Sequence, residues 1–335
     1  MVPASVPGAA AVTWPALVLT AGLGTRLHPL SGVRAKPAVP VAGIPLAGRV
    51  LQWLAAAGVR DAVLNLHHRP DTVTRAVGDG SRYGVRVRYS WEPTILGSAG
   101  GPARALPLLD APRFFVINGD TLTDVDVLAM ARRHVESDAA VTMALVANPD
   151  PLHYGGVQVA PDGAIVGFTR RGPDNTGWHF VGVQVVNADV FAALDPERPA
   201  ESVGAIYRDL IRARPGAIRG YCCDAAFHDI GTAADYLDTS LTFAARESAY
   251  GALTGRDASI SPRARVDRSV IWDRVTVGAG ARLTECVVAD DVEVPPGLTF
   301  IRKALVRREG LTPGPHDAEV GSLLVTSLDA YRPKD

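Results

Sequence analysis

The stretch LVLTAGLGTRLHPLSGVRAKPAVPVAGIP, residues 17–45, constrains this chain more than any other. Its aliphatic start (Leu17, Val18, Leu19) reads as a buried strand. That strand breaks at Gly22-Leu23-Gly24, where glycines let the backbone turn and approach a ligand closely. Pro29, Pro37, Pro40 and Pro45 stand too close together for a regular helix to run through them. A loop this long inside a compact domain is unusual unless it is functional. Its only charges are three cations, Arg26, Arg34 and Lys36. Beside glycine-supplied N–H groups at a strand end, they read as a cradle for a polyphosphate.

Two phosphate-binding motifs are excluded. A dinucleotide fingerprint needs Gly or Ala at position 27, where this chain has Leu, and a helix where the prolines stand. A P-loop needs G-K-[ST] after the glycines, and none is there. The stretch instead resembles the signature of the sugar-1-phosphate nucleotidylyltransferases (NDP-sugar pyrophosphorylases), G-x-G-T-R-L-x-P-L-[ST] followed by K-P-x-x-P-[VI]. Gly22 to Leu27, Pro29-Leu30-Ser31, Lys36-Pro37 and Pro40-Val41 match it in order and spacing.

Further motifs of that family recur along the chain. Leu96-Gly97-Ser98-Ala99-Gly100, after a strand expected over residues 85–89, resembles the base-recognition loop, with Glu92 just before it. Taken alone, that piece is equally a glycine turn opening a helix. Asn118-Gly119-Asp120 comes after a buried strand over 114–117 and matches the family's [NG]-G-D. An Asp on such a turn is well placed to ligate Mg²⁺, or else simply caps the next segment. Asp124 and Asp126, spaced like a glycosyltransferase D-x-D, read as a helix-start cap. Tyr154-Gly155-Gly156 matches the family's Tyr-Gly near the sugar, and Phe227-His228-Asp229-Ile230-Gly231-Thr232 resembles its W-x-D-I-G-T. Phe168-Thr169-Arg170-Arg171-Gly172-Pro173 falls where the family shows F-x-E-K-P, with Arg171 in the place of the phosphate-binding Lys and Arg170 in that of a Glu. A guanidinium only donates hydrogen bonds, so Arg170 cannot accept from a sugar hydroxyl as that Glu does.

Strands alternating with helices predict a mostly parallel sheet, with ligands beyond the carboxyl ends of its strands. Behind it the tail repeats with an offset of 17 residues: Val270 with Val287, Ile271 with Val288, Asp273 with Asp290, Val277 with Val294. Such spacing reads as hexapeptide-type coils of a parallel β-helix, about two of them. So short a stack has an open end that the first domain or another subunit must cover.

The resemblance thus implies an α/β nucleotide-diphospho-sugar transferase domain (Rossmann-like) over residues 14–250, a short left-handed parallel β-helix over 255–305 and a C-terminal tail over 306–335. It implies nucleotide contacts at Ala21, Gly22, Gly24, Thr25, Glu92, Gly97 and Ser98, and catalytic charge from Arg26 and Lys36. Gly155 and Arg171 are the sugar-phosphate contacts, and Asp120 and Asp229 hold Mg²⁺. The activity implied is transfer of a nucleoside monophosphate from an NTP, GTP favoured over UTP or dTTP, to a sugar 1-phosphate or a cyclitol phosphate. A silent NDP-sugar-sensing subunit is the alternative, but it would be expected to lose the loop cations or a metal Asp, and all four are present.

Composition agrees. With a net charge of −1, nucleic acid or an anionic membrane is not expected as a partner. Lysine occurs only at 36, 303 and 334, which sets Lys36 apart. Three cysteines form neither a disulfide framework nor a zinc spacing, and the apolar N-terminal segment lacks a basic region before it. The expectation is a cytoplasmic protein and a homo-oligomer, with the β-helix as one surface through which it could assemble.

Overall fold

The computed structural model describes residues 13–331, so the apolar segment over residues 1–12 lies outside the described residues. A seven-stranded sheet organises the first two-thirds of the chain. Its strands are β1 (Ala16–Leu19), β2 (Asp61–Leu66), β3 (Arg86–Trp91), β4 (Arg113–Asn118), β6 (Val141–Val146), β9 (His179–Asn187) and β10 (Ile218–Cys222). The order across it is β10-β6-β9-β4-β1-β2-β3. Only β9 runs antiparallel to its neighbours. Central strands are apolar on both faces: Ala16 and Val18 enter one core and Leu17 the other, as in a sheet covered on both sides. The covering helices include α1 (Leu46–Ala56), α2 (Pro70–Val77), α3 (Gly97–Leu109), α4 (Val127–Ser137), α5 (Tyr207–Ala213) and α6 (Ala233–Arg246).

Register sets the position of the site. Leu19 lies beside Asn65 on one side and Asn118 on the other, so three strands end level. The chain runs β1-β2-β3 outward and returns to place β4 on the opposite flank of β1. The signature loop therefore leaves the sheet where strand order reverses, where an open α/β sheet forms its binding crevice. Two short antiparallel ribbons stand apart from the sheet. One pairs β5 (Thr121–Thr123) with β11 (Phe227–Asp229), the other β7 (Gly156–Val159) with β8 (Ile165–Thr169).

The C-terminal region is a hexapeptide-type left-handed β-helix. Its ladders keep the 17-residue offset: Ser259 on Thr276, Arg265 on Arg282 and Val270 on Val287. There are three rungs, not two, because Glu293–Val294, Thr299–Ile301 and Lys303–Arg307 pair onto the second coil in the same register. Beyond the third rung the chain extends one of the three faces of the stack. Leu323–Ser327 adds antiparallel to Lys303–Arg307, and Asp317–Val320 adds to Leu323–Ser327. No described helix is long and apolar enough to cross a membrane.

Candidate active site

The signature loop has no α-helix, as its prolines require. It folds into three short 3-10 turns, Thr25–Leu27, Leu30–Gly32 and Lys36–Ala38. Gly24 takes a left-handed φ of 62°, and a methyl there would press on the Cβ atoms of Lys36 and Ser31 at 3.4 Å. The loop origin is pinned by Asn65, whose Oδ1 accepts from the Thr20 N–H at 2.7 Å. Asn65 Nδ2 donates to Glu92 at 2.7 Å, and the other oxygen of Glu92 accepts from the Leu96 N–H at 3.0 Å. One buried asparagine therefore ties the phosphate loop to the glycine loop, a link that the motifs alone do not show. Its position at the end of β2 was the available signal.

A cavity of about 400 Å³ opens between these loops. Ala21, Gly22, Gly24, Thr25, Arg26, Lys36, Glu92, Gly97, Ser98 and Asp120 all line it. Lys36 does not lie on the surface: it is 8% exposed, because residues 35–39 pack into the core. Its Nζ sits 2.9 Å from Asp120 Oδ2. Arg26 lines the same cavity, its guanidinium 3.0 Å from where a methyl on Gly231 would stand. The cradle reading of Arg34 is corrected, because its guanidinium turns away from the cavity to Asp273 and Asp290 of the β-helix.

Asp120 and Asp229 are brought near one another although more than a hundred residues separate them, with Asp120 lining the cavity and Asp229 outside its lining. Pairing of β11 with β5 sets Asp229 opposite Thr121, and the Ile230 N–H donates to the Asp120 carbonyl at 3.0 Å. Burial raises the pKa of Asp229, and the Asp120 charge raises it further, against the lowering effect of Lys36 and Arg26. Asp126 caps α4, accepting from the Leu128 and Ala129 N–H groups, as its cap reading requires. His228 lies away from the cavity, against Phe243 and Arg246.

The remaining two sites named from sequence are less enclosed. Gly155 and Arg171 are both exposed and do not line the cavity, and Arg170 is exposed beside them. Their segment is nonetheless fixed next to Tyr154, since Asn175 Nδ2 donates to the Tyr154 carbonyl at 2.9 Å and the Gly172 N–H to that of Pro151 at 2.9 Å. Tyr154, His179 and Phe227 form an aromatic cluster there, with ring centroids 4.2 to 5.9 Å apart. Phe227 stands at the W of the W-x-D-I-G-T motif, whereas nothing in the sequence marks His179, which β9 brings against Phe227 only in the fold. Asp229 is close enough to bear on Tyr154, whose hydroxyl burial and this carboxylate push up to about 12.

An open α/β sheet with a glycine loop, two cations and a carboxylate lining a cavity at its switch point, and a second carboxylate near it, defines a phosphate-handling enzyme of the nucleotide-transferring class. The chain belongs to the nucleotidyl transferase family, whose profile matches residues 15–246, and a GlmU-like C-terminal hexapeptide profile matches residues 246–301. It is similar to the mannose-1-phosphate guanylyltransferase of Mycobacterium tuberculosis, at 29% identity over 86% of this chain and 83% of that one. It is also similar to the N-acetylmuramate alpha-1-phosphate uridylyltransferase of Neisseria meningitidis serogroup B, at 33% identity over 65% of this chain and 93% of the other. Among solved structures, HddC from Yersinia pseudotuberculosis complexed with GMP-PN superposes with a TM-score of 0.60 and 25% identity, covering 69% of this chain and all of that one.

Proposed function

We propose that this chain transfers GMP from GTP to a sugar 1-phosphate in the cavity between the signature loop and the glycine loop. It is a sugar-phosphate nucleotidyltransferase whose products are an NDP-sugar and pyrophosphate. The observation that carries the site assignment is the convergence of ten sequence-named residues, Ala21 through Asp120, on one cavity at the switch point. In the reaction a phosphate oxygen of the sugar 1-phosphate forms a bond to the α-phosphorus. The bond from that phosphorus to the bridging oxygen breaks, and pyrophosphate leaves with the electron pair. No covalent enzyme intermediate is needed, so the protein's task is to hold two anions in line and to stabilise developing charge.

Backbone N–H groups of residues 21–25 and the Arg26 guanidinium hold the triphosphate, while Gly97 and Ser98 at the start of α3 face the base. Lys36 presents a point charge from a packed position. Asp120 and Asp229 offer only oxygen donors, and burial together with the Asp120 charge raises the pKa of Asp229, which suits a hard divalent cation such as Mg²⁺. When bound, that ion supplies positive charge to the phosphates. Tyr154, His179, Gly155 and Arg171 border the acceptor, with Arg171 meeting its phosphate and the aromatic cluster its ring.

Guanylyl relatives and the GMP-PN complex favour GTP, whereas the uridylyltransferase, the more identical of the two relatives described, favours UTP. A matrix of GTP, UTP, dTTP and ATP against mannose, heptose, N-acetylmuramate and cyclitol 1-phosphates, read by pyrophosphate release with Mg²⁺, decides between them. The expected result is a GTP-dependent signal that requires an acceptor. A signal with UTP alone would replace the nucleotide, and none with any pair would remove the reading.

A further inference from the structure

We infer that Arg34 is a positioning residue for nucleotidyl transfer, through a clamp with Asp290 and Asp273 by which the β-helix holds Lys36 in place. This rests on the reading of Lys36 as the charge that acts in the cavity. Arg34 lies two residues before Lys36, on the opposite side of the signature loop. Its Nε donates to Asp290 Oδ2 at 2.7 Å, and one terminal nitrogen donates to Asp290 Oδ1 at 2.6 Å and to Asp273 Oδ2 at 2.8 Å. The two carboxylates belong to successive coils, 17 residues apart, and the Asp273 N–H donates to Asp290 Oδ1 at 3.0 Å. The guanidinium also lies 5.2 Å above the Trp272 ring.

All three charged side chains are largely withdrawn from water, at 18%, 13% and 11% exposure. A bidentate fork spanning two rungs fixes direction as well as distance, which a flexible surface pair does not. Trp272 continues the brace. Its Nε1 donates to the Tyr236 hydroxyl at 2.9 Å, and that hydroxyl donates to the Pro40 carbonyl at 2.6 Å. Residues 34–40 are thus held at both ends from the β-helix side, with the Ala35 N–H on Thr72 Oγ1 at 3.0 Å between them. Lys36 stands inside this span with its amine on Asp120, so a shift of the span moves the amine relative to the reacting phosphates. A misplacement of about 1 Å can cost on the order of 100-fold in rate.

The test is steady-state pyrophosphate release by the full chain carrying Arg34→Gln, Asp290→Asn or Asp273→Asn, with Arg256→Gln and Lys36→Ala alongside. Arg256 also bonds Asp273, at 3.2 Å, but does not touch the loop through any hydrogen bond in the clamp. Arg34→Gln and Asp290→Asn are expected to lower kcat at least ~10-fold with KM for the sugar 1-phosphate within about twofold of wild type. The double variant should fall no further than Arg34→Gln, since both remove one interaction, and Arg256→Gln should keep its kcat. Asp290→Asn is nearly isosteric and decides the matter if Arg34→Gln does not fold. Lower thermal midpoints with unchanged kcat would overturn the inference, leaving a brace between domains without a catalytic link. Multiplied losses in the double variant would overturn it too. If Lys36→Ala also keeps full turnover, the assignment of Lys36 fails; if Lys36→Ala alone is inactive, only the clamp fails.

Discussion

His179 illustrates how much a single residue's meaning depends on the fold. In sequence it opens an ordinary aliphatic strand; in the structure its ring lies 4.2 Å from Tyr154 and 4.8 Å from Phe227. Burial, with help from the nearby His153 charge, pushes its pKa down to about 4. The ring is therefore neutral at working pH, an uncharged wall beside Tyr154 and Phe227. In the unfolded chain a His titrates near 6.5, so between about pH 6.5 and 4 the unfolded state binds a proton that the folded state refuses. Stability contributed by neutral His179 is thus present above pH 6.5 and is lost as pH falls through that window. His179→Phe should show a smaller drop in thermal midpoint between pH 7 and pH 4.5 than wild type. Equal drops would show that this ring does not titrate as described. Lys36 stands out in the sequence by its motif and its isolation among arginines, yet its burial does not, because a proline-rich loop gives no sign of what packs over it. Arg34 had the same local pattern as its neighbours, and only the β-helix reveals where it points.

Elements were read more faithfully than contacts. Aliphatic runs and glycine breaks locate β1 and β4 to within a few residues, since buried strands announce themselves by composition. The glycine loop was harder. Gly97 opens α3 itself, with φ at 74°, and a methyl there would stand 2.7 Å from both the Ala200 carbonyl and Glu201 Oε1. Gly97→Ala should therefore displace the start of α3 and raise KM for the NTP severalfold, on top of a left-handed backbone cost of about 1–2 kcal/mol. Gly58→Ala is the control: φ is 93° there, but a methyl would meet nothing within 4 Å. It should lose stability without a change in KM, and matching KM values for the two variants would contradict the role given to Gly97. In the β-helix the offset of 17 was legible, because inward residues repeat in kind. The third rung was not, since Phe300 and Ala304 replace Leu283 and Val287 in register while differing from them in size.

At the scale of the whole molecule, the chain is less divisible than the three-part reading of its sequence suggests. Val270, Trp272, Ala289 and Val306 of the β-helix share one apolar core with Leu27, Leu30 and Ala38 of the signature loop. The tail joins in, with His28 Nε2 2.7 Å from Asp317 Oδ2 and Leu311 against Gly32. Such joins pair residues hundreds of positions apart and leave no local pattern, which is why the tail has no part assigned to it from sequence. The signature loop is held from two sides, by the level strand ends beneath it and by the β-helix above it. The most direct test is pyrophosphate release from NTP, sugar 1-phosphate and Mg²⁺ by wild type and by Lys36→Ala, with both proteins shown to be folded by circular dichroism. Wild type should release one pyrophosphate per NDP-sugar and none without the acceptor, and Lys36→Ala should fall ~100-fold or more. Turnover in Lys36→Ala close to that of wild type would contradict the charge role on which the mechanism rests.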